Sequence, residues 1–183
     1  AADFSTYEGK ALAAKKIQDR QYVKESLVLC DSFWPITYSQ YFQDNIGDPT
    51  LESKILSAIT GEELNEEELY GAGERIFNLQ RAILAREGSI GREADNLPEW
   101  YFTAPVQTEH GNPECLVPGK DGEIISRKGM TVDRESFEKM KDEYYRLRGW
   151  DVTSGLQTRA KLDKLGLEDI ADDLEKRGLL ASS

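Results

Sequence analysis

Two cysteines and one histidine are the side chains of this sequence best suited to ligate a metal or to act as a nucleophile. Cys30 closes a run of apolar and small residues that begins at Ser26, whereas Cys115 and His110 lie in a segment rich in Pro and Gly. Structural zinc takes four Cys or His ligands, so this chain does not supply a zinc site of that kind by itself. Neither a Cys-x-x-Cys pair, a Gly-rich phosphate loop nor a Ser-His-Asp set is present in the sequence.

The residue types alone favour a structural interpretation of Cys30. The run that precedes it predicts a segment buried on all sides, and a buried free cysteine is most often a small hydrophobe. A nucleophilic role would require a neighbouring base, and the single histidine is far away in the sequence. His110 is typical of a turn residue, and Cys115 has no evident partner.

Charge and composition exclude several classes of function. The 183 residues include 34 acidic and 23 basic side chains, which gives a net charge of −11 and disfavours binding to nucleic acid or anionic lipid. An apolar fraction of 39% and a charged fraction of 31% are typical of a soluble globular protein of about one domain. The sequence contains no apolar run long enough to span a membrane and no secretory leader, so we expect a cytoplasmic protein.

The spacing of apolar residues predicts about six helices. Their predicted positions are a stripe of Tyr7, Ala11, Ala14 and Ile17; a segment from Pro35 to Ile46; a helix from Thr60 or Asn65 to Gly88; one from Asp133 to Gly149; one from Thr158 to Gly166; and one around Ile170 and Leu174 that ends at Gly178.

Between Ser89 and Met130 the helical pattern disappears, and Asp121-Gly122 predicts a small hairpin there. The expected fold is all-α, an irregular or orthogonal multi-helix arrangement with one long irregular loop, and residues 1–183 are expected to form a single domain. The residues alone are equally consistent with an interaction module and with part of a larger protein.

Three blocks of the sequence carry a resemblance to a known family. The first block runs from Gly73-Glu74-Arg75 through Arg86-Glu87-Gly88 to Leu97-Pro98. The second is Tyr144-Tyr145-Arg146-Leu147-Arg148-Gly149-Trp150-Asp151, and the third includes Thr158-Arg159, Leu162 and Leu165-Gly166-Leu167-Glu168-Asp169. In this order the blocks resemble the C-terminal region of the tungsten-containing aldehyde ferredoxin oxidoreductase family. The resemblance covers most of the chain and is weakest from about Tyr101 to Gly129.

This resemblance implies a cofactor role for the end of the first helix. The family holds tungsten, or molybdenum in a few members, between two pyranopterins near a [4Fe–4S] cluster, and only its last domain corresponds to this chain. Its fourth cluster cysteine follows an Asp-x-x-Gly-Leu-Cys pattern that also lines one pterin. Here Leu29 and Cys30 match this pattern, Glu25 replaces the Asp and Val28 replaces the Gly. The resemblance therefore implies that Cys30 is a cluster ligand and that Glu25 and Leu29 contact the pterin, and it assigns no catalytic residue.

The function that the resemblance implies is oxidation of an aldehyde to its carboxylate, with electrons passed singly to ferredoxin. The other domains of the same enzyme, ferredoxin and the aldehyde would be its partners, an oligomer is compatible, and the fragment alone is not expected to be active. Two alternatives stay open: the same cofactors acting on another substrate, as in an aromatic thioester reductase subunit, or a non-catalytic helical interaction module.

Overall fold

The structure is a computed structural model that describes residues 3–30, 48 and 50–182. This part of the chain contains eight α-helices and one antiparallel hairpin, which confirms the all-α expectation. The elements are α1 Lys10–Ser26, α2 Leu51–Thr60, α3 Glu66–Arg86, α4 Gly91–Ala94, α5 Trp100–Thr103, β1 Leu116–Pro118, β2 Ile124–Ser126, α6 Arg134–Arg148, α7 Arg159–Lys164 and α8 Glu168–Lys176. The helix predicted from Pro35 to Ile46 lies outside the described residues.

The predicted capping residues begin the helices that the sequence indicated. Asn65 and Glu68 form a reciprocal capping box at the start of α3, in which each side chain accepts the other residue's backbone N–H at 2.9 Å. The Asp133 carboxylate accepts the N–H of Ser136 at 2.8 Å before α6, and Thr158 caps α7 in the same way. Local sequence therefore determines where these three helices begin.

The predicted buried faces are less accurate than the predicted helix ends. In α1, Ala11 is buried as expected, but Ala14 is exposed and Ile17 is 66% exposed, while Asp19 lies inside. The short helix α2 was not predicted at all, because its buried residues include Glu52 rather than the isoleucines of the same helix. Because charged residues are buried in both helices, the apolar pattern of the sequence does not identify the buried face of either one.

The hairpin follows the expected turn. Val117 pairs with Ile125 across the two strands, and the connecting residues Asp121 and Gly122 both adopt positive φ angles, 54° and 83°. Asp and Gly are the residues that tolerate this conformation, so the prediction of a small hairpin is confirmed.

The chain divides into two compact units. One is Lys16–Ile83, which we call the inner unit because it is the inner stretch of the sequence. The other comprises the two flanking stretches, Ala1–Lys15 and Leu84–Ser183, and is called the outer unit. The expectation that residues 1–183 form one domain stays a prediction.

The inner unit depends on a close approach between α1 and α3. Gly73 of α3 is buried against α1, and a Cβ added at this position would overlap the carbonyl oxygen of Asp19 and lie 2.9 Å from Val23 Cγ2. The rings of Tyr22 and Phe77 pack nearby, with centroids 5.3 Å apart. The contact at Gly73 therefore fixes the second half of α1, whose C-terminal end carries the candidate site residues.

The outer unit depends on the Arg92 side chain. Its guanidinium contacts Glu138 Oε2 at 2.5 Å and Asp142 Oδ1 at 2.6 Å, both on α6, and donates to the carbonyl oxygen of Val152 at 2.9 Å. Its backbone N–H donates to the Ser154 carbonyl at 2.7 Å. One residue thus joins α4 to α6 and to the loop that follows α6.

Close packing surrounds this arginine. The fully buried Tyr145 donates its hydroxyl to Asp95 at 2.7 Å, and a Cβ on Gly155 would lie 2.8 Å from the Arg92 nitrogen and 3.0 Å from the Tyr145 hydroxyl. Burial alone would raise the pKa of Glu138, but hydrogen bonds from Lys141 and Arg92 lower it below its ordinary value. The ion pairs of the guanidinium are therefore held in a fixed geometry.

Replacing Gly73 with Ala is expected to destabilise the protein by about 3 kcal/mol, because the added methyl must displace the α1 backbone. Gly71→Ala is the matched control: it lies in the same helix, and nothing lies within 4 Å of its Cβ position. This control should stabilise the protein by up to about 1 kcal/mol through helix propensity. Chemical denaturation measures both changes, and equal effects would contradict the close approach.

Replacing Arg92 with Met should cost about 2–4 kcal/mol, because two partly buried carboxylates lose their shared cation. Lys139→Met, in α6, removes only an exposed pair with Glu135 and should leave the free energy of unfolding almost unchanged. A denaturation curve for each variant gives the comparison, and an Arg92 cost no larger than the Lys139 cost would refute this account of the outer unit.

Candidate functional site

The three residues singled out by the resemblance lie together where α1 ends. The N–H of Val28 donates to the Glu25 carbonyl at 3.0 Å, and the N–H of Leu29 donates to the Lys24 carbonyl at 3.0 Å. This pair of bonds is the Schellman pattern, which satisfies the last carbonyls of a helix and turns the chain sharply away from its axis. The turn follows Glu25 directly and leads into Leu29 and Cys30.

Val28 occupies the left-handed position of this turn. Its φ is 58°, a conformation that costs an L-residue about 1–2 kcal/mol and is a clear outlier for a β-branched side chain. Five other helices of the described chain end at a glycine with positive φ: Gly61, Gly88, Gly149, Gly166 and Gly178. The backbone at position 28 thus keeps the conformation typical of glycine although the residue is valine.

The expectation that the chain is buried on all sides as it reaches Cys30 is wrong. Val28 is 90% exposed, Cys30 is exposed and Leu29 is half-buried, because the turn directs this segment away from the packed face of α1. The buried cysteine is Cys115, which is 2% exposed. The exposed thiol of Cys30 is therefore the one that can meet a group from outside this part of the chain.

The Glu25 carboxylate is exposed and accepts one hydrogen bond, from Gln21 Nε2 at 2.6 Å. A carboxylate has about four lone-pair sites, so Glu25 retains the capacity to accept further N–H donors. The pterin contact that the resemblance implies for Glu25 stays a prediction.

The single thiol at this helix end fits the role of one ligand to an iron–sulfur cluster. Within residues 3–30, 48 and 50–182, no group of three His, Cys, Asp or Glu side chains is arranged to hold a metal ion. A thiol is the ligand that iron–sulfur clusters require, and Cys30 presents one at an exposed, hydrogen-bonded turn. The remaining ligands of a cubane would have to come from elsewhere.

A buried ion pair lies further back in the inner unit. Arg20 of α1 donates to Glu52 Oε1 at 2.8 Å, Glu52 is 1% exposed, and its Oε2 has no hydrogen-bond partner among the described residues. Near this pair, the pKa of Tyr70 is raised to about 12, mainly because the side chain is partly buried and secondly because Glu66 and Glu52 are negatively charged. Sequence reasoning missed this cluster, and the only available signal was a Glu at the start of a short helix.

His110, two of the tryptophans and the Glu-rich start of α3 are not part of this turn. His110 is exposed, Trp150 is buried, and Trp100 is exposed and stacks on Tyr101 with ring centroids 3.8 Å apart. Trp34 lies outside the described residues. In the Glu-rich start of α3, Glu68 serves as a cap.

Comparison with known proteins gives matches that agree with one another. A sequence model described as aldehyde ferredoxin oxidoreductase, domains 2 and 3, matches residues 1–167. The chain is 29% identical over 115 residues to a tungsten-containing aldehyde ferredoxin oxidoreductase of Pyrococcus furiosus, an alignment that covers 63% of this chain and 16% of that protein.

A solved structure gives the same architecture. The active site complex BamBC of benzoyl coenzyme A reductase, in complex with 1,5-dienoyl-CoA, matches with a TM-score of 0.67 over 98% of this chain and 22% of that chain. At 21% identity this likeness shows the fold. The chain therefore corresponds to less than a quarter of the length of each of these two proteins, and none of its described helices is long and apolar enough to cross a membrane.

Thiol labelling of cofactor-free protein is expected to separate the two cysteines. Cys30 should react with a maleimide under native conditions, whereas Cys115 should react only after denaturation, because its side chain is shielded from solvent. Peptide mapping by mass spectrometry measures each site. Equal native reactivity, or a protected Cys30, would contradict the exposure described for the end of α1.

Proposed function

The chain belongs to the aldehyde ferredoxin oxidoreductase family, and from that membership we propose that it is the C-terminal domain of a tungsten–pterin, iron–sulfur oxidoreductase. The proposed reaction is oxidation of an aldehyde to the carboxylic acid with ferredoxin as electron acceptor. The named relative from Pyrococcus furiosus supports tungsten as the metal. The remaining domains of the same protein would complete the site.

The observation that carries the proposal is the exposed Cys30 thiol at the hydrogen-bonded end of α1. When bound, the metal–pterin centre would supply the two-electron oxidation and the cluster would pass electrons on one at a time. Cys30, as thiolate, would hold one iron of the cluster. Because the Schellman bonds fix the backbone that bears it, the sulfur would keep its position as the cluster changes charge.

Glu25 would accept hydrogen bonds from pterin N–H groups, and Leu29 would line the same contact. The Glu25 side chain is one methylene longer than the family's aspartate, so its carboxylate would reach further from the helix end. These assignments rest on the family pattern and on the exposure of the Glu25 carboxylate.

A different substrate is the main alternative. The structural neighbour belongs to a benzoyl coenzyme A reductase, which is consistent with an aromatic thioester reductase subunit built on the same cofactors. Its likeness supports the shared fold. Because Glu25 and Val28 differ from the family's cysteine pattern, the pattern does not select between an aldehyde and another substrate. A non-catalytic helical module is the third possibility, and it predicts a protein without metal.

Elemental analysis of the native protein that contains this chain, purified without oxygen, tests the proposal. We expect about one tungsten or molybdenum and about four irons per chain. In the same protein, Cys30→Ser should lose most of this iron, because an alcohol is a poor replacement for the thiolate ligand. A folded native protein that contains no iron and neither tungsten nor molybdenum would overturn the proposal in favour of the module.

Ser26→Ala is a matched control for that substitution. Ser26 is exposed at the same helix end, and its hydroxyl bonds only the Tyr22 carbonyl in the preceding turn. Iron content should be unchanged in this variant. Full iron content in Cys30→Ser would show that Cys30 is not a ligand, and the proposed cofactor class would still stand. Activity assays with aldehydes and with aromatic thioesters then identify the substrate.

A further inference from the structure

Val28 combines an exposed side chain with a left-handed backbone, and contacts among the described residues do not explain the second feature. An exposed valine is ordinary on a protein surface, but a valine in the left-handed conformation is not. The conformation is imposed by the turn, since the bonds at positions 28 and 29 can form only if residue 28 reverses the chain. A glycine would satisfy the turn without strain, as it does at the end of α2.

The described residues leave this side chain largely uncovered. Backbone strain of this size persists where the surrounding structure or a function requires it. Val28 is also the most exposed of the large apolar side chains in the described residues, so little contact within the chain stabilises it. Its two methyl groups are free to pack on something else.

A group held at Cys30 would lie within reach of these methyls. One residue, Leu29, separates Val28 from Cys30, which places their Cα atoms at most about 7 Å apart. Apolar side chains around a metal site exclude water and so tune its reduction potential. A valine beside a cluster thiolate can shield the cluster in a way that glycine cannot.

We propose that Val28 is a positioning and tuning residue that shields from water the iron–sulfur cluster ligated by Cys30. This inference rests on the proposed function, and it adds a role for a residue that departs from the family pattern. Reduction adds negative charge to a cluster that its thiolates already make anionic. Water stabilises that charge, so removal of the shield should raise the midpoint potential.

Val28→Gly in the complete protein tests the proposal, in cluster-loaded and cluster-free forms. Without the cluster, glycine relieves the strain, and hydrogen exchange of the amides at the end of α1 should slow about fivefold. With the cluster bound, this gain should disappear because the apolar contact is lost at the same time. A redox titration followed by electron paramagnetic resonance should show a higher midpoint potential.

Two further variants separate the causes. Val28→Ala keeps most of the strain but shortens the shield, so it should raise the potential without slowing exchange. Gly61→Val creates the opposite change at the end of α2, where no atom lies within 4 Å of the Cβ position. Exchange there should accelerate equally in the loaded and cluster-free forms.

The proposal is overturned if Val28→Gly slows exchange equally in both forms, since Val28 would then be exposed in the enzyme as well. It is also overturned if the potential of the loaded protein does not move in Val28→Gly or Val28→Ala, since another domain would then cover the side chain. If the wild-type protein contains its full iron content, either of these results for the variants leaves the proposed function standing. Absence of iron from the wild type would instead refute the proposed function.

Discussion

The contact between the backbones of α1 and α3 at Gly73 is the constraint on which the inner unit depends. Two helices approach this closely only where a side chain is missing, and here the carbonyl of Asp19 occupies the space of the missing Cβ. Because α1 is a continuous helix from this contact to Ser26, its C-terminal end is positioned by a rigid element rather than by a loop. The candidate ligand therefore depends on packing that lies about two helical turns before the end of α1.

The end of α1 shows how helix termination can present a functional side chain. A Schellman turn satisfies the last carbonyls and directs the following residues away from the helix axis. The same turn that ends the helix thus brings an exposed thiol and an exposed carboxylate to one place. Membership of the family gives this arrangement its chemical meaning, since the described residues of the chain hold no metal cluster site of their own.

Helix boundaries were predictable from sequence because they depend on local chemistry. Asn65 with Glu68, and Asp133, satisfy backbone donors within a few residues, so the sequence alone contains the required information. Burial was less predictable, because it depends on residues far apart in the chain. Glu52 is buried only because Arg20, on another helix, pairs with it.

The exposure of Cys30 was missed for a related reason. An apolar run predicts burial when the chain continues in its direction, but Val28 adopts a conformation that nothing in its residue type suggests. The resemblance nevertheless identified Cys30, Leu29 and Glu25 as one group, which the structure places at one helix end. Their roles toward cofactors stay predictions.

The Arg92 arrangement also has a consequence for how this sequence can change over time. The guanidinium serves two carboxylates of α6 and the carbonyl of Val152 at once, so no other single side chain can replace it. An uncharged residue at position 92 would remove the shared cation from both acidic groups and leave Glu138 with Lys141, so it becomes less costly once Asp142 has lost its charge. During evolution, substitution of Asp142 should therefore precede substitution of the arginine.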